Sequence, residues 1–130
     1  MTIADGAGSH AEGRGAFAIG IQSHAEGGHI NSDGSALLNN YTHTLSTGTT
    51  ISIKGPQAQS HGSHAENIQT LAYGYASHAE GFRTLAEGDG SHAEGYYSSA
   101  EGSYSHAEGK GTIASGEAQH VSGKYNKKNN

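Results

Sequence analysis

One pentapeptide, Ser-His-Ala-Glu-Gly, is written out in full at 9–13, 23–27, 77–81, 91–95 and 105–109. A further copy at 63–67 changes only its last residue, to Asn67, and Gln-His-Val-Ser-Gly at 119–123 is a worn one. Within each uninterrupted block the copies start about 14 residues apart, and a fixed period of this kind constrains the fold more than any composition does. A half-size period lies inside it. Ala4, Ala11, Ala18 and Ala25 are followed two residues on by Gly6, Gly13, Gly20 and Gly27. The series resumes with Ala65, Ala72, Ala79, Ala86, Ala93, Ala100, Ala107 and Ala114, and Asn67 stands in for the first of the later glycines.

A seven-residue period can mean a coiled coil, but coiled coils need large apolar residues at a and d. Here nearly every heptad carries a glycine, each costing about 1 kcal/mol against helix, so the helical reading fails. Strands fit. Side chains on a strand alternate between faces, so Ser, Ala and Gly share one side of each half-unit. That small side is expected to be the interior of a thin coil, with Ala11, Ala18, Ala25, Ala65, Ala72, Ala79, Ala86, Ala93, Ala100, Ala107 and Ala114 between two sheets. The expected fold is an all-β parallel solenoid of two strands and 14 residues per coil, with coils stacked about 4.8 Å apart.

The other side of the first half-unit repeats one pair without drift: His10/Glu12, His24/Glu26, His64/Glu66, His78/Glu80, His92/Glu94 and His106/Glu108. A solvated face has no reason to be copied so strictly, so this face is expected to pack against something regular. The simplest such partner is a second copy of the chain, with His of one subunit meeting Glu of its neighbour in charge-assisted hydrogen bonds. Carboxylates beside imidazoles would also raise the folded imidazole pKa, giving a stabilisation present at low pH and lost as pH rises. On the second half-unit the corresponding side drifts, through Phe17/Ile19, Leu71/Tyr73, Leu85/Glu87, Ser99/Glu101 and Ile113/Ser115.

Four segments follow: coils at 1–28, an insertion at 29–62, the main repeat block at 63–123 and a polar tail at 124–130. Inside the insertion, β-prone runs at 41–46 and 49–54 flank Thr47-Gly48 and predict a β-hairpin that ends at Gly55-Pro56. Insertions between repeats commonly form a binding face. The tail is expected to fray or to lead into further chain.

Only 32% of the 130 residues are apolar, which without a period would read as disorder. A net charge of −5 argues against nucleic acid as a partner. No stretch reaches the roughly 20 apolar residues that span a bilayer, and Met1-Thr-Ile-Ala-Asp lacks the charged start and apolar run of a signal peptide. The expectation is a soluble chain. Cysteine is absent, so disulfides and thiolate metal sites are excluded.

Ser-His-Ala-Glu contains the residue types of a nucleophile triad, but neighbours on a strand face opposite ways, so no catalytic residue is expected. His and Glu two apart on one face could ligate Zn²⁺. Pairing between chains explains the same residues without an ion, and no metal or cofactor is expected. Tyr41, His43, Tyr73, Tyr75, Tyr96 and Tyr97 are the candidate ligand contacts, since exposed aromatic faces suit sugars, while packing at an interface is the favoured alternative role for the tyrosines at turns and on the drifting face. His29, His43 and His61 are expected to face solvent in the insertion, and Asn40-Tyr41-Thr42 matches a glycosylation acceptor.

The unit Ser-His-Ala-Glu-Gly-x-x-Thr-Leu-Ala-x-Gly resembles the head repeat of YadA-like trimeric autotransporter adhesins, whose pentapeptide is typically Ser-Val-Ala-Ile-Gly. The His/Glu form is similar to repeats in tail and host-contact proteins of phages and prophages of Gram-positive bacteria. There a Gln-His-Val-x-Gly-Lys-Tyr-Asn segment like 119–126 closes the array. The likeness covers roughly 90 of the 130 residues and leaves out the insertion. It implies a left-handed, homotrimeric β-roll and a non-enzymatic role as a fibre module that contacts a host-surface glycan or protein. The implied place is a virion tail or a cell surface. A bacterial surface adhesin head, or the non-catalytic stalk of a tailspike or self-cleaving fibre, is the alternative context. This chain puts His and Glu where the adhesin heads carry Val and Ile, so an interface built on those positions is polar.

Overall fold

The computed structural model describes residues 1–28 and 41–126. The glycosylation tripeptide's Asn40, His29 and the end of the tail lie outside the described residues. The first strands are β1 (Ile3–Ala4), β2 (His10–Gly13), β3 (Phe17–Ala18) and β4 (His24–Gly27). The hairpin is β5 (Tyr41–Thr44) and β6 (Thr50–Ile53). The stack continues with β7 (Gln57–Ala58), β8 (His64–Ile68), β9 (Leu71–Ala72), β10 (His78–Phe82) and β11 (Leu85–Ala86). It ends with β12 (His92–Tyr96), β13 (Ser99–Ala100), β14 (His106–Lys110), β15 (Ile113–Ala114) and β16 (His120–Val121). Among the described residues there is no helix.

Two parallel seven-stranded sheets lie back to back as a β-solenoid. The motif sheet runs β2-β4-β8-β10-β12-β14-β16, and the second sheet runs β1-β3-β7-β9-β11-β13-β15. Register follows the repeat: His64 pairs with His78, His78 with His92 and His92 with His106. Between the sheets, Ala18, Ala25, Ala58, Ala65, Ala72, Ala79, Ala86, Ala93, Ala100, Ala107 and Ala114 are fully buried. Ala11, near one end of the stack, is only partly covered.

The motif serine closes a turn. Ser77 and Ser105 each donate their Oγ at 2.6 Å to the carbonyl three residues back, on Gly74 and Gly102. This leaves a buried hydroxyl satisfied, which is what such a group requires. Asn67 fills the glycine column at φ 79°, and asparagine is one of the few side chains that visits the left-handed region readily. Strands of the second sheet are two residues long rather than five. They stop early because Tyr73 and Gly74 both donate to one carbonyl, that of Ala86, which bends the backbone out of the ladder.

One sequence expectation changes. The insertion is shorter than 29–62, because Gln57–Ala58 is already a rung, paired with Phe17–Ala18 on one side and Leu71–Ala72 on the other. It therefore interrupts a single coil, between Gly28 and Pro56, rather than separating two coils.

Candidate functional site

The His/Glu face is a continuous ladder within one chain. From His24 to His120 consecutive imidazoles stack with centroids 4.6 to 4.8 Å apart and planes within 7°. His10 breaks the series and meets His24 edge-on at 5.0 Å. Three glutamates reach the next rung's ring: His78 Nε2 lies 3.2 Å from Glu66, His92 3.1 Å from Glu80 and His120 3.2 Å from Glu108. Within one chain these contacts already give the pairs a regular environment, from one rung to the next.

The electrostatics also differ from expectation. Burial first, then repulsion between stacked rings, holds His64, His78 and His106 below the usual imidazole value. The rings' crowding outweighs the carboxylates beside them, reversing the expected sign. Along the carboxyl column the interaction between Glu66 and Glu80 pushes the two apart, raising Glu66 to about 7 and lowering Glu80 to about 2. Glu94 is likewise raised by its hydrogen bond to Glu80, while Glu26 and Glu108 are lowered as acceptors from Glu66 and Glu94. Beside the ladder runs an apolar edge where Phe82 stacks on Tyr96 at 5.0 Å and the Lys110 ammonium sits 5.6 Å from the Tyr96 ring. A groove of about 600 Å³, lined in part by Ile68 and Phe82, opens along it.

A second site forms where the hairpin lies against the second sheet. The drift along that sheet's outer side has a cause here: Leu71 and Leu85 are covered by Leu45 and Ile53, with Ile51 and Tyr73 at the margin. Beyond the hairpin the same column turns to Ser99. The hairpin's end is held by Glu87, which accepts from Ser46 N at 2.9 Å and Ser46 Oγ at 2.6 Å.

His43 is 5% exposed, not a solvent-facing loop residue. Its Nε2 donates to the Gln69 carbonyl at 3.0 Å. Around it, the Arg83 guanidinium lies 4.5 Å from the centre of the Tyr41 ring and donates to Gln69 Oε1 at 2.8 Å and to the Tyr97 hydroxyl at 2.7 Å. Tyr41 meets Tyr97 edge-on at 5.7 Å. A cleft of about 290 Å³ opens here, bounded by Tyr41, Arg83, Leu85, Tyr97, Ser99 and Glu101. Burial raises the Glu101 carboxyl above its usual value.

The candidate contacts thus separate. Tyr41, His43 and Tyr97 come together around the cleft, although little of His43 is exposed. Tyr73 packs under the hairpin, Tyr96 belongs to the apolar edge and Tyr75 stands on another corner, 5.4 Å from the exposed His61. Arg83 and Glu101 escape sequence reasoning, since neither sits in the repeated motif. Only the rarity of arginine in a chain with seven basic residues could have marked Arg83.

Burial pushes His43 down to about 4; the Gln69 carbonyl opposes this and the Arg83 charge adds to it. The folded chain then takes up this proton later than the unfolded chain does. Stability is unaffected above pH 6.5 and falls as pH drops from 6.5 towards 4, by about 3 kcal/mol from this group. His64, His78 and His106 act in the same direction, and Glu80 extends the loss as pH falls from 4.5 to about 2. Glu66 opposes them, costing stability as pH rises from 4.5 to about 7. The melting temperature is expected to fall from pH 6.5 to 4, with a shallower slope in His43→Gln, which retains a donor for the Gln69 carbonyl. An unchanged slope would remove His43 as the source.

Comparison with protein-family models, curated proteins and solved structures finds no match to this chain.

Proposed function

We propose that this chain is a structural and binding module of a homotrimeric fibre, of the kind that a phage tail fibre or receptor-binding protein uses to touch its host's surface. The reading takes the 14-residue, two-strand coil as the fibre's unit. It takes the His/Glu face, with the Phe82–Tyr96 edge beside it, as the surface on which subunits meet. The binding role belongs to the hairpin. The observation that carries it is the cleft between Tyr41, Arg83, Tyr97 and Glu101, in which aromatic faces, a cation and a carboxyl converge on a rigid wall. Saccharides are bound by such mixtures, because apolar ring faces stack on aromatics while hydroxyls take polar partners.

Two measurements test this. Light scattering is expected to give a particle of about three times the 13.3 kDa chain mass. On a glycan array the chain is expected to retain at least one oligosaccharide class, with Tyr97→Ala weakening it by about tenfold, the worth of one aromatic contact. Removal of 29–54, which leaves every rung in place, should abolish binding. Equal binding by the shortened chain would take the hairpin out of the function.

A further inference from the structure

The His/Glu ladder contains two kinds of rung. At His78, His92 and His120 the Nε2 atom is within 3.1 to 3.2 Å of a carboxylate oxygen. At His24, His64 and His106 it makes no hydrogen bond and is shut off from solvent; His24 has one carboxylate within 4 Å, Glu26 at 3.5 Å, whereas His64 and His106 are each flanked by two, from successive rungs. His64 Nε2 lies 3.7 Å from Glu26 Oε1 and 4.0 Å from Glu66 Oε2. His106 Nε2 lies 3.6 Å from Glu94 Oε1 and 3.9 Å from Glu108 Oε2. These separations are too long for hydrogen bonds. Two donors bound to one zinc ion at tetrahedral angles stand about 3.4 Å apart, so small side-chain closures would suffice. Every consecutive His–Glu–His set already holds its donor atoms within 4.8 Å of one another.

We infer that the ladder binds two divalent transition-metal ions of the zinc class per chain, one at His64 with Glu26 and Glu66, the other at His106 with Glu94 and Glu108. Each ion takes one imidazole nitrogen and two carboxylate oxygens, with a fourth position left to water. An imidazole donor selects zinc, nickel or cobalt over calcium, which prefers all-oxygen cages. The two sites are three rungs apart, roughly 14 Å at the spacing of neighbouring strands, so the ions do not crowd each other. Bound ions would crosslink rungs on either side of the insertion, Glu26 before it and Glu66 after it. The inference uses ligands from one chain and does not depend on the fibre reading.

Calorimetric titration of the metal-free full chain with zinc chloride at pH 7.5 tests it. About two equivalents are expected, with calcium chloride giving no comparable heat. His106→Ala is expected to bind one equivalent and His64→Ala one, so the surviving site in each variant reports that the fold persists. His61→Ala, off the ladder, should keep two. If His106→Ala does not fold, Glu108→Gln, which preserves side-chain shape, reads the same loss of one. No binding, more than two equivalents, an unchanged number in the ladder variants or an equal response to calcium would each overturn the assignment.

Discussion

Gly88→Ala is expected to prevent the stack from forming, or to destabilise it by more than about 3 kcal/mol, the upper end of ordinary overpacking costs. A β-carbon at this position would lie 2.1 Å from the Gly102 carbonyl oxygen and 2.4 Å from its carbon. These are backbone atoms of the next rung, not a side chain that could swing away. The next rung is held close, because Glu87 N donates to Ala100 O at 2.8 Å and Gly88 N to the same oxygen at 3.3 Å; Ser60, which stands in the same column, does so where the insertion rejoins the stack. Against a total stability of about 5 to 15 kcal/mol, such a loss is decisive. Thermal melts followed by circular dichroism would read it. Gly90→Ala makes a useful contrast: its backbone is at φ +64° and its nearest contact is the Tyr104 side chain at 3.0 Å. That substitution should cost only about 1 to 2 kcal/mol of left-handed strain. A Gly88→Ala melt within a couple of degrees of the parent would mean that neighbouring rungs are not this close.

The second large effect is local. Leu71 is fully buried and joins Leu45, Ile53 and Leu85 in a cluster apart from the alanine interior. Leu71→Ala is expected to cost about 2 to 5 kcal/mol, the range for emptying a leucine-sized site. The loss should fall on the hairpin rather than on the solenoid, since the alanine stack does not include this residue. Limited proteolysis should therefore cut the 45–49 turn faster in the variant, while the repeat block 63–123 stays resistant. Glu87→Ala, removing the acceptor for Ser46, should act in the same sense but more weakly, near the 1 to 3 kcal/mol of a charge-assisted contact. An equally protected turn in Leu71→Ala would show that other contacts hold the hairpin down.

What could be read from the chain tracks how local the cause is. The alanine and glycine spacing encodes alternation along single strands, so sheets and interior are visible without knowing any distant contact. Gln57–Ala58 went unseen because Ser60 stands where the other second-sheet rungs carry glycine, which breaks the Ala-x-Gly signature. Its one surviving signal is that Ala58 falls seven residues before Ala65. His43 was misread for a different reason. Its surroundings are made by Gln69 and Arg83, far along the chain, and nothing in Tyr-Thr-His-Thr says which side of the hairpin meets the sheet. The His/Glu repetition was legible, but its partner was not: strict copying is equally demanded by the rung above and by a neighbouring subunit.

The point where the chain leaves the stack and the point where it returns lie side by side. A β-carbon added to Gly28 would meet the Arg14 carbonyl at 3.5 Å, and one added to Gly55 the Gly15 carbonyl at 2.3 Å. Whatever lies between them begins and ends on one corner of the preceding coil, and the strands on either side remain in register, His24 with His64. Lengthening a loop whose ends are already pinned adds only about 0.6 kcal/mol per doubling. This corner therefore behaves as a socket: one inserted segment could be exchanged for another of different size while the solenoid beneath it keeps its pitch.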